Sequence, residues 1–172
     1  MRIRVRDLSI NDINIINKWH NDKSLFEFLV GNFYGPSLDE TKKWIEKYQN
    51  EEKTFRGITS NENGKDIGII YLINDTNLNE AELGIFIANK EYRHCGYGKE
   101  MFQWMLNFGF NVLKLNKIFL YALKDNNVAI SLYKKYNFLE NPTLSTKIVK
   151  NGKQADVVYM YLVKEKYHEE NC

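Results

Sequence analysis

Arginine and aliphatic residues alternate from Arg2 to Arg6 (Arg-Ile-Arg-Val-Arg), which predicts a first strand with one buried face. Ser9 then stands three residues before Asp12, a capping-box-like start to a helix running to about His20, with Ile13, Ile16 and Trp19 at helical spacing. A second helix is expected from a cap at Ser37, with Glu40 three residues on, to about Tyr48, burying Leu38, Trp44 and Ile45. Residues 54–59 and 67–73 read as strands joined by a turn at Asn61-Glu-Asn-Gly64, and residues 74–79 as a polar turn. The alternating run Glu82-Leu-Gly-Ile-Phe-Ile-Ala88 predicts the next strand, and the apolar stretch from Met101 to Leu115 a long helix. Residues 117–123 are strand-like and 126–136 helical. Residues 143–149 and 155–163 form a closing hairpin around Asn151-Gly152. No repeat, linker or low-complexity segment interrupts this order of seven strands and four helices.

Composition narrows the class. With 172 residues, 44% hydrophobic and 27% charged, the chain is long enough for a core and reads as one globular domain, residues 1–172. Net charge is only +2, from 24 basic and 22 acidic residues, with no basic run, so nucleic acid is not expected as a partner. No apolar stretch reaches membrane-spanning length, so no membrane partner is expected, and Met1-Arg-Ile-Arg-Val-Arg-Asp7 lacks the apolar centre of a secretory leader. The two cysteines, Cys95 and Cys172, have neither disulfide nor metal spacing; a reducing cytoplasm is the expected setting, with no metal.

The chemistry concentrates in Glu91-Tyr-Arg-His-Cys-Gly-Tyr-Gly-Lys-Glu100, between the expected strand and the long helix. Glycines let backbone N–H groups approach phosphate oxygens, and a helix N-terminus supplies partial positive charge. Arg93 and Lys99 add formal charge at the rim, so the loop reads as a pyrophosphate site. A Walker loop would need glycine five residues before Gly98 and Ser or Thr after Lys99, where Arg93 and Glu100 stand. A dinucleotide fingerprint would need glycine at Met101. What remains is Arg-x-x-Gly-x-Gly, at Arg93, Gly96 and Gly98. It resembles the coenzyme A loop of the GCN5-related N-acetyltransferase (GNAT) superfamily. About thirty residues on, Asn126-Asn-Val-Ala-Ile-Ser-Leu-Tyr-Lys-Lys-Tyr-Asn-Phe138 resembles the second signature of that superfamily, at Asn126, Ala129, Ile130, Leu132, Tyr133, Lys135 and Phe138. Asn137 replaces the usual glycine, a mild change, since asparagine tolerates the left-handed backbone of a helix C-cap.

The resemblance implies the GNAT fold, an α/β (α+β) arrangement with a central mixed, mostly antiparallel sheet of about seven strands and about four flanking helices. It implies an acetyl-CoA-dependent N-acetyltransferase that moves an acetyl group to a primary amine by direct attack on the thioester. Tyr133 would then lie near the CoA sulfur as general acid; a core tyrosine is the plain alternative. Asn126 would cap its helix, hydrogen-bond the pantetheine arm, or do both. Phe86, Ile87 and Ala88 would lend backbone groups to pantetheine from a strand splayed away from its neighbour. Arg93, His94, Cys95, Gly96, Tyr97, Gly98 and Lys99 would surround the pyrophosphate, with Ala129 and Lys135 completing the cofactor side. His94 and Cys95 offer backbone amides rather than catalysis. Glu82 is the candidate base, against the alternative of a solvated carboxylate.

The acceptor is less legible. The chain resembles the spermidine N-acetyltransferases and the RimJ/RimL-like protein N-acetyltransferases, which form one broad branch. Glu80 to Ala88 and Asn151 to Asp156 resemble the polyamine enzymes, whereas Gly31-Asn-Phe-Tyr-Gly-Pro36 departs from them. A groove between the first two helices and the hairpin turn is expected to admit a small amine, a polyamine or a protein N-terminus. Phe26, Phe28, Phe33 and Tyr34, interleaved with Glu27, Asp39 and Glu40, suit a cation. A homodimer or higher homo-oligomer fits the branch. A CoA-binding sensor or regulatory module without catalysis is the competing class.

Overall fold

The computed structural model describes residues 1–49, 54–75 and 77–171; Cys172 and the Thr76 position of the expected turn lie outside the described residues. Two N-terminal segments begin as their caps dictate. The Asp12 carboxylate accepts the Ser9 N–H at 2.8 Å, and a short 3-10 turn leads into α1, Ile13–His20. Ser37 and Glu40 form a reciprocal pair at the start of α2, Leu38–Gln49: the Ser37 N–H donates to Oε2 of Glu40, and the Glu40 N–H to Oγ of Ser37. Ile45 is fully buried and Trp44 half-buried, but Leu38, expected inside, is half exposed; in the first turn of α2 it overhangs the helix end rather than its packed face.

The strands are β1 Arg4–Asp7, β2 Thr54–Ser60, β3 Asp66–Asp75, β4 Glu80–Ile87, β5 Lys117–Leu123, β6 Leu139–Glu140, β7 Thr146–Lys150 and β8 Lys153–Val163. They form one sheet in the order β1-β2-β3-β4-β5-β8-β6, with β7 also on β8. All pairs are antiparallel except β4 with β5. This is the expected mixed, mostly antiparallel α/β sheet. Asn151 and Gly152 turn the β7–β8 hairpin with positive φ, 51° and 78°, the pattern of a two-residue turn whose twist suits the strands.

Helix α3 spans Tyr97–Asn107, continues as a π-helical turn over Phe108–Val112, and so takes the glycine-containing loop end into its first turn. Helix α4 spans Asn127–Lys135, and Asn137 beyond it has φ of 60°, the left-handed conformation expected there. Helix α5, Lys164–Asn171, and the two-residue β6 were not anticipated, because neither shows an apolar period; α5 is almost wholly polar and meets the core through Tyr167, stacked on Phe110 at 4.8 Å.

The sheet has a core on each face. Met101, Phe102, Met105 and Phe110 of the α3 segment pack with Leu83, Ile118 and Leu120 on one side. Ile16, Trp19 and Ile45 from α1 and α2 pack on Ile58 and Ile69 on the other.

The feature that positions the site is where β4 and β5 part. They pair only at Glu80–Lys117, Ala81–Ile118 and Glu82–Phe119. An ion pair from Lys117 Nζ to Oε2 of Glu80, at 2.6 Å, closes that end. Beyond Glu82, β4 stays with β3 while β5 stays with β8, leaving a cleft in the middle of the sheet. The splay expected of the strand before the loop is present.

Candidate functional site

The β4 edge facing the cleft carries backbone groups that no neighbouring strand pairs. The Ala88 N–H donates to the Ile67 carbonyl on β3 at 2.9 Å, so by alternation the groups of Phe86 face β3 and those of Ile85 and Ile87 face the cleft. Of the expected trio Phe86, Ile87 and Ala88, only Ile87 thus turns its main chain to the open edge. Its carbonyl already accepts Nε of Arg93 at 3.0 Å, and the Ala88 carbonyl accepts Nη2 at 3.2 Å. Arg93 therefore folds back on β4 and braces the loop instead of standing at the rim; Phe28 lies 6.0 Å beyond its guanidinium.

His94 and Gly96 both take positive φ, 62° and 89°, which turns the chain sharply into α3. The first intrahelical bond runs from the Glu100 N–H to the Gly96 carbonyl, leaving the N–H groups of Tyr97, Gly98 and Lys99 at the free helix end. Space above Gly98 is open: an added Cβ would meet only Cδ1 of Ile87, at 3.6 Å. Such a glycine-lined helix end suits a pyrophosphate, the chemistry expected of the loop. The outside of the turn is fastened by Arg2, whose Nη2 donates to the Cys95 carbonyl at 3.0 Å, whose Nε pairs with Oε1 of Glu100 at 2.6 Å, and whose guanidinium lies 4.5 Å from the Tyr97 ring. Tyr97 is buried, its hydroxyl donating to Oε2 of Glu62 at 2.8 Å, so its side chain is a strut. His94, Cys95 and Lys99 are exposed.

Across the cleft, Tyr133 on α4 is half-buried among Phe102 and Phe138, at 5.2 and 6.1 Å. Burial, and secondarily the nearby Tyr71, push its phenol up to about 12, so it carries its proton at neutral pH. Asn126 caps α4 through Oδ1, accepting the Ala129 N–H at 3.2 Å, while its Nδ2 donates to the Phe28 carbonyl at 3.4 Å. Both ends of that amide are therefore engaged within the chain. Ala129 sits half-buried at the α4 N-terminus; Lys135, at the far end, is exposed.

Glu82, the last β4 residue paired with β5, is half-buried at the root of the cleft. Burial raises its carboxyl above the usual range, opposed by Arg56. Beside it stands Tyr71 of β3, which no sequence motif singles out, pushed up to about 12 by burial first and then by Glu82. Arg56 lies 5.0 Å from the Tyr71 ring, 3.5 Å from Tyr48 and 5.1 Å from Trp44. Strand register and the packing of α2 on the sheet bring these residues together, so no local motif could have flagged them. No group of three or more metal-ligating side chains occurs among the described residues, and no helix among them is long and apolar enough to cross a membrane.

The loop between α1 and α2 is tied down from the far hairpin. Nζ of Lys150 donates to the carbonyls of Phe26, Leu29 and Gly31 at 2.6, 2.7 and 3.0 Å, and Asn32 bonds both the Val149 carbonyl and the Asn151 N–H. One oxygen of the exposed Glu40 carboxylate caps α2, accepting the Ser37 N–H at 2.8 Å.

A family model described as an acetyltransferase (GNAT) domain matches residues 2–139. The chain belongs to the GNAT acetyltransferase family. As a GNAT enzyme it is an N-acetyltransferase that uses acetyl-CoA as co-substrate. It is similar to spermidine N(1)-acetyltransferase of Vibrio cholerae, with 26% identity over 167 residues, covering 96% of this chain and 95% of that protein. The solved structure of the Vibrio cholerae spermidine N-acetyltransferase in complex with CoA and spermine superposes with a TM-score of 0.89 at 26% identity, covering 97% and 98% of the two chains. A dodecameric structure of the Vibrio cholerae enzyme in an intermediate state gives a TM-score of 0.82 at 26% identity, covering 96% of each chain.

Proposed function

We propose that this GNAT chain, acting as one domain, acetylates a primary amine of the small-amine or polyamine class by direct transfer, with Glu82 as base and Tyr133 as acid. One observation carries the reading: a protonated phenol and a carboxylate with a raised pKa flank the same cleft, at whose mouth lies the free end of α3. The pyrophosphate would rest on the N–H groups of Tyr97, Gly98 and Lys99, and the pantetheine arm along the Ile85–Ile87 edge of β4. Glu82 takes a proton from the ammonium of the acceptor. The freed nitrogen attacks the thioester carbonyl, the C–N bond forms, and the C–S bond breaks as the sulfur takes the Tyr133 proton. A neutral phenol supplies that proton without adding positive charge beside an ammonium. Protein N-termini are the other acceptor class, and a homo-oligomer is the proposed assembly, given the dodecameric relative; a monomer's mass by light scattering would overturn the latter. The cytoplasm is the proposed setting.

The test is CoA release from acetyl-CoA with spermidine, spermine, simple primary amines and peptide N-termini. Tyr133→Phe should lower kcat by about 10²-fold with CoA affinity unchanged, the usual scale for losing a general acid. The base acts deprotonated, so kcat/KM should fall as pH drops through the raised Glu82 pKa, at a pH above the ordinary carboxylate range, and Glu82→Gln should abolish that limb. CoA binding without release to any amine would favour a sensor instead.

A further inference from the structure

Tyr71, Gly84 and Arg56 form a row across three strands: Arg56 pairs with Tyr71 between β2 and β3, and Tyr71 with Gly84 between β3 and β4. Directly opposed residues of antiparallel strands project from the same face. A Cβ built on Gly84 would fall on Cζ, Cε1 and Oη of Tyr71, so the ring lies across β4 in the space that any side chain at Gly84 would fill. Gly84 stands two residues past Glu82, where β4 has already left β5. The phenol is thus carried over β4 to the cleft, next to Glu82 and on the approach to Tyr133. Its ring is steadied from behind by the Arg56 guanidinium, itself held over Tyr48.

We propose that Tyr71 is a third member of the reacting centre: its hydroxyl, seated over Gly84, holds the acceptor nitrogen by a hydrogen bond while Glu82 takes the proton. This rests on the amine-acetylation reading above. The geometry gives the hydroxyl no other evident task, since Tyr71 is half-buried at the cleft rather than packed in either core. Once one proton has passed to Glu82, the amine still has N–H groups. One of them donates to Oη of Tyr71, which points the nitrogen lone pair at the thioester carbonyl. The phenol keeps its own proton throughout, so the proton balance between Glu82 and Tyr133 is unaltered. A carboxylate in that place would bring a second negative charge against Glu82; a phenol does not.

The substitution Tyr71→Phe removes one oxygen and almost no volume. It should weaken the acceptor roughly five- to tenfold, in KM and in the Kd measured calorimetrically with CoA bound, while the Kd for CoA stays within twofold of the parent. Gly84→Ala should displace the ring and produce a similar loss. In a Tyr71→Ala background, with no ring left to displace, Gly84→Ala should add nothing. Parental acceptor KM and Kd in Tyr71→Phe, or additive losses in the double variant, would overturn the proposal. If the parent binds an amine through Tyr71 but releases no CoA, the transferase reading and the place of Tyr71 in a reacting centre both fail, and only its hydrogen bond to a bound amine stands. A parent that binds no amine of the panel overturns both.

Discussion

Gly96 and Gly98 stand two apart and do different work. Gly96 has φ of 89° at the start of α3, where a side chain is strained, whereas Gly98 is an ordinary helical residue with open space above it. Both were expected to let phosphate oxygens approach the backbone; for Gly98 the structure leaves that as the one reason to lack a side chain, whereas Gly96 is also held by its backbone conformation. Gly98→Val should therefore fold normally, with an unfolding midpoint in urea near the parent's, yet lose CoA binding at least tenfold by calorimetry. Gly96→Val should lose binding and also about 1–2 kcal/mol of stability, the cost of a left-handed non-glycine residue. A Gly98→Val variant that binds CoA as tightly as the parent would remove the loop from the pyrophosphate. Arg93 shows the limit of residue-level reading: its place in the motif is plain in the sequence, but its hydrogen bonds to the Ile87 and Ala88 carbonyls depend on how the loop folds back.

Elements meet through the Lys150 ammonium. All three of its donors are used on loop carbonyls, joining the β7–β8 turn to the segment between α1 and α2 across more than a hundred residues of sequence. Lys150→Met keeps the stem and deletes the charge, leaving three carbonyls to find water. We expect a loss of about 1–3 kcal/mol on urea unfolding, faster hydrogen exchange over residues 26–32, and an altered acceptor KM at constant acetyl-CoA KM. An unchanged acceptor KM in a loosened loop would separate that loop from acceptor choice. The hairpin itself was legible because Asn151-Gly152 specifies a turn within two residues. Its docking partner was not, because nothing local in Lys150 says which carbonyls it will reach.

For the whole molecule, the sheet is shared by two cores. Phe102 is fully buried on the α3 face, and Ile58 on the face covered by α1 and α2. Phe102→Ala should cost about 3–5 kcal/mol and Ile58→Ala about 2–5 kcal/mol. Because both faces rest on the same strands, each loss should shift one cooperative transition, seen alike by circular dichroism and by fluorescence of Trp19, Trp44 and Trp104. Two separated transitions would show that the faces unfold independently.

Legible in the chain alone were the strands and helices that alternate or repeat strongly, the capped start of α2, the turn at Asn151-Gly152, the left-handed Asn137, and the loop and helix signatures that mark a GNAT acetyltransferase. Each of these is written within a few neighbouring residues, where backbone preference and apolar period act. Tertiary structure decided the rest. It parted β4 from β5 after Glu82, turned Ile87 rather than Phe86 to the cleft, engaged both ends of the Asn126 amide, and laid Tyr71 across Gly84 beside Glu82. Those outcomes depend on strand register and on which strands pair. Such choices are made by contacts between residues far apart in the chain, and no window of the sequence contains them.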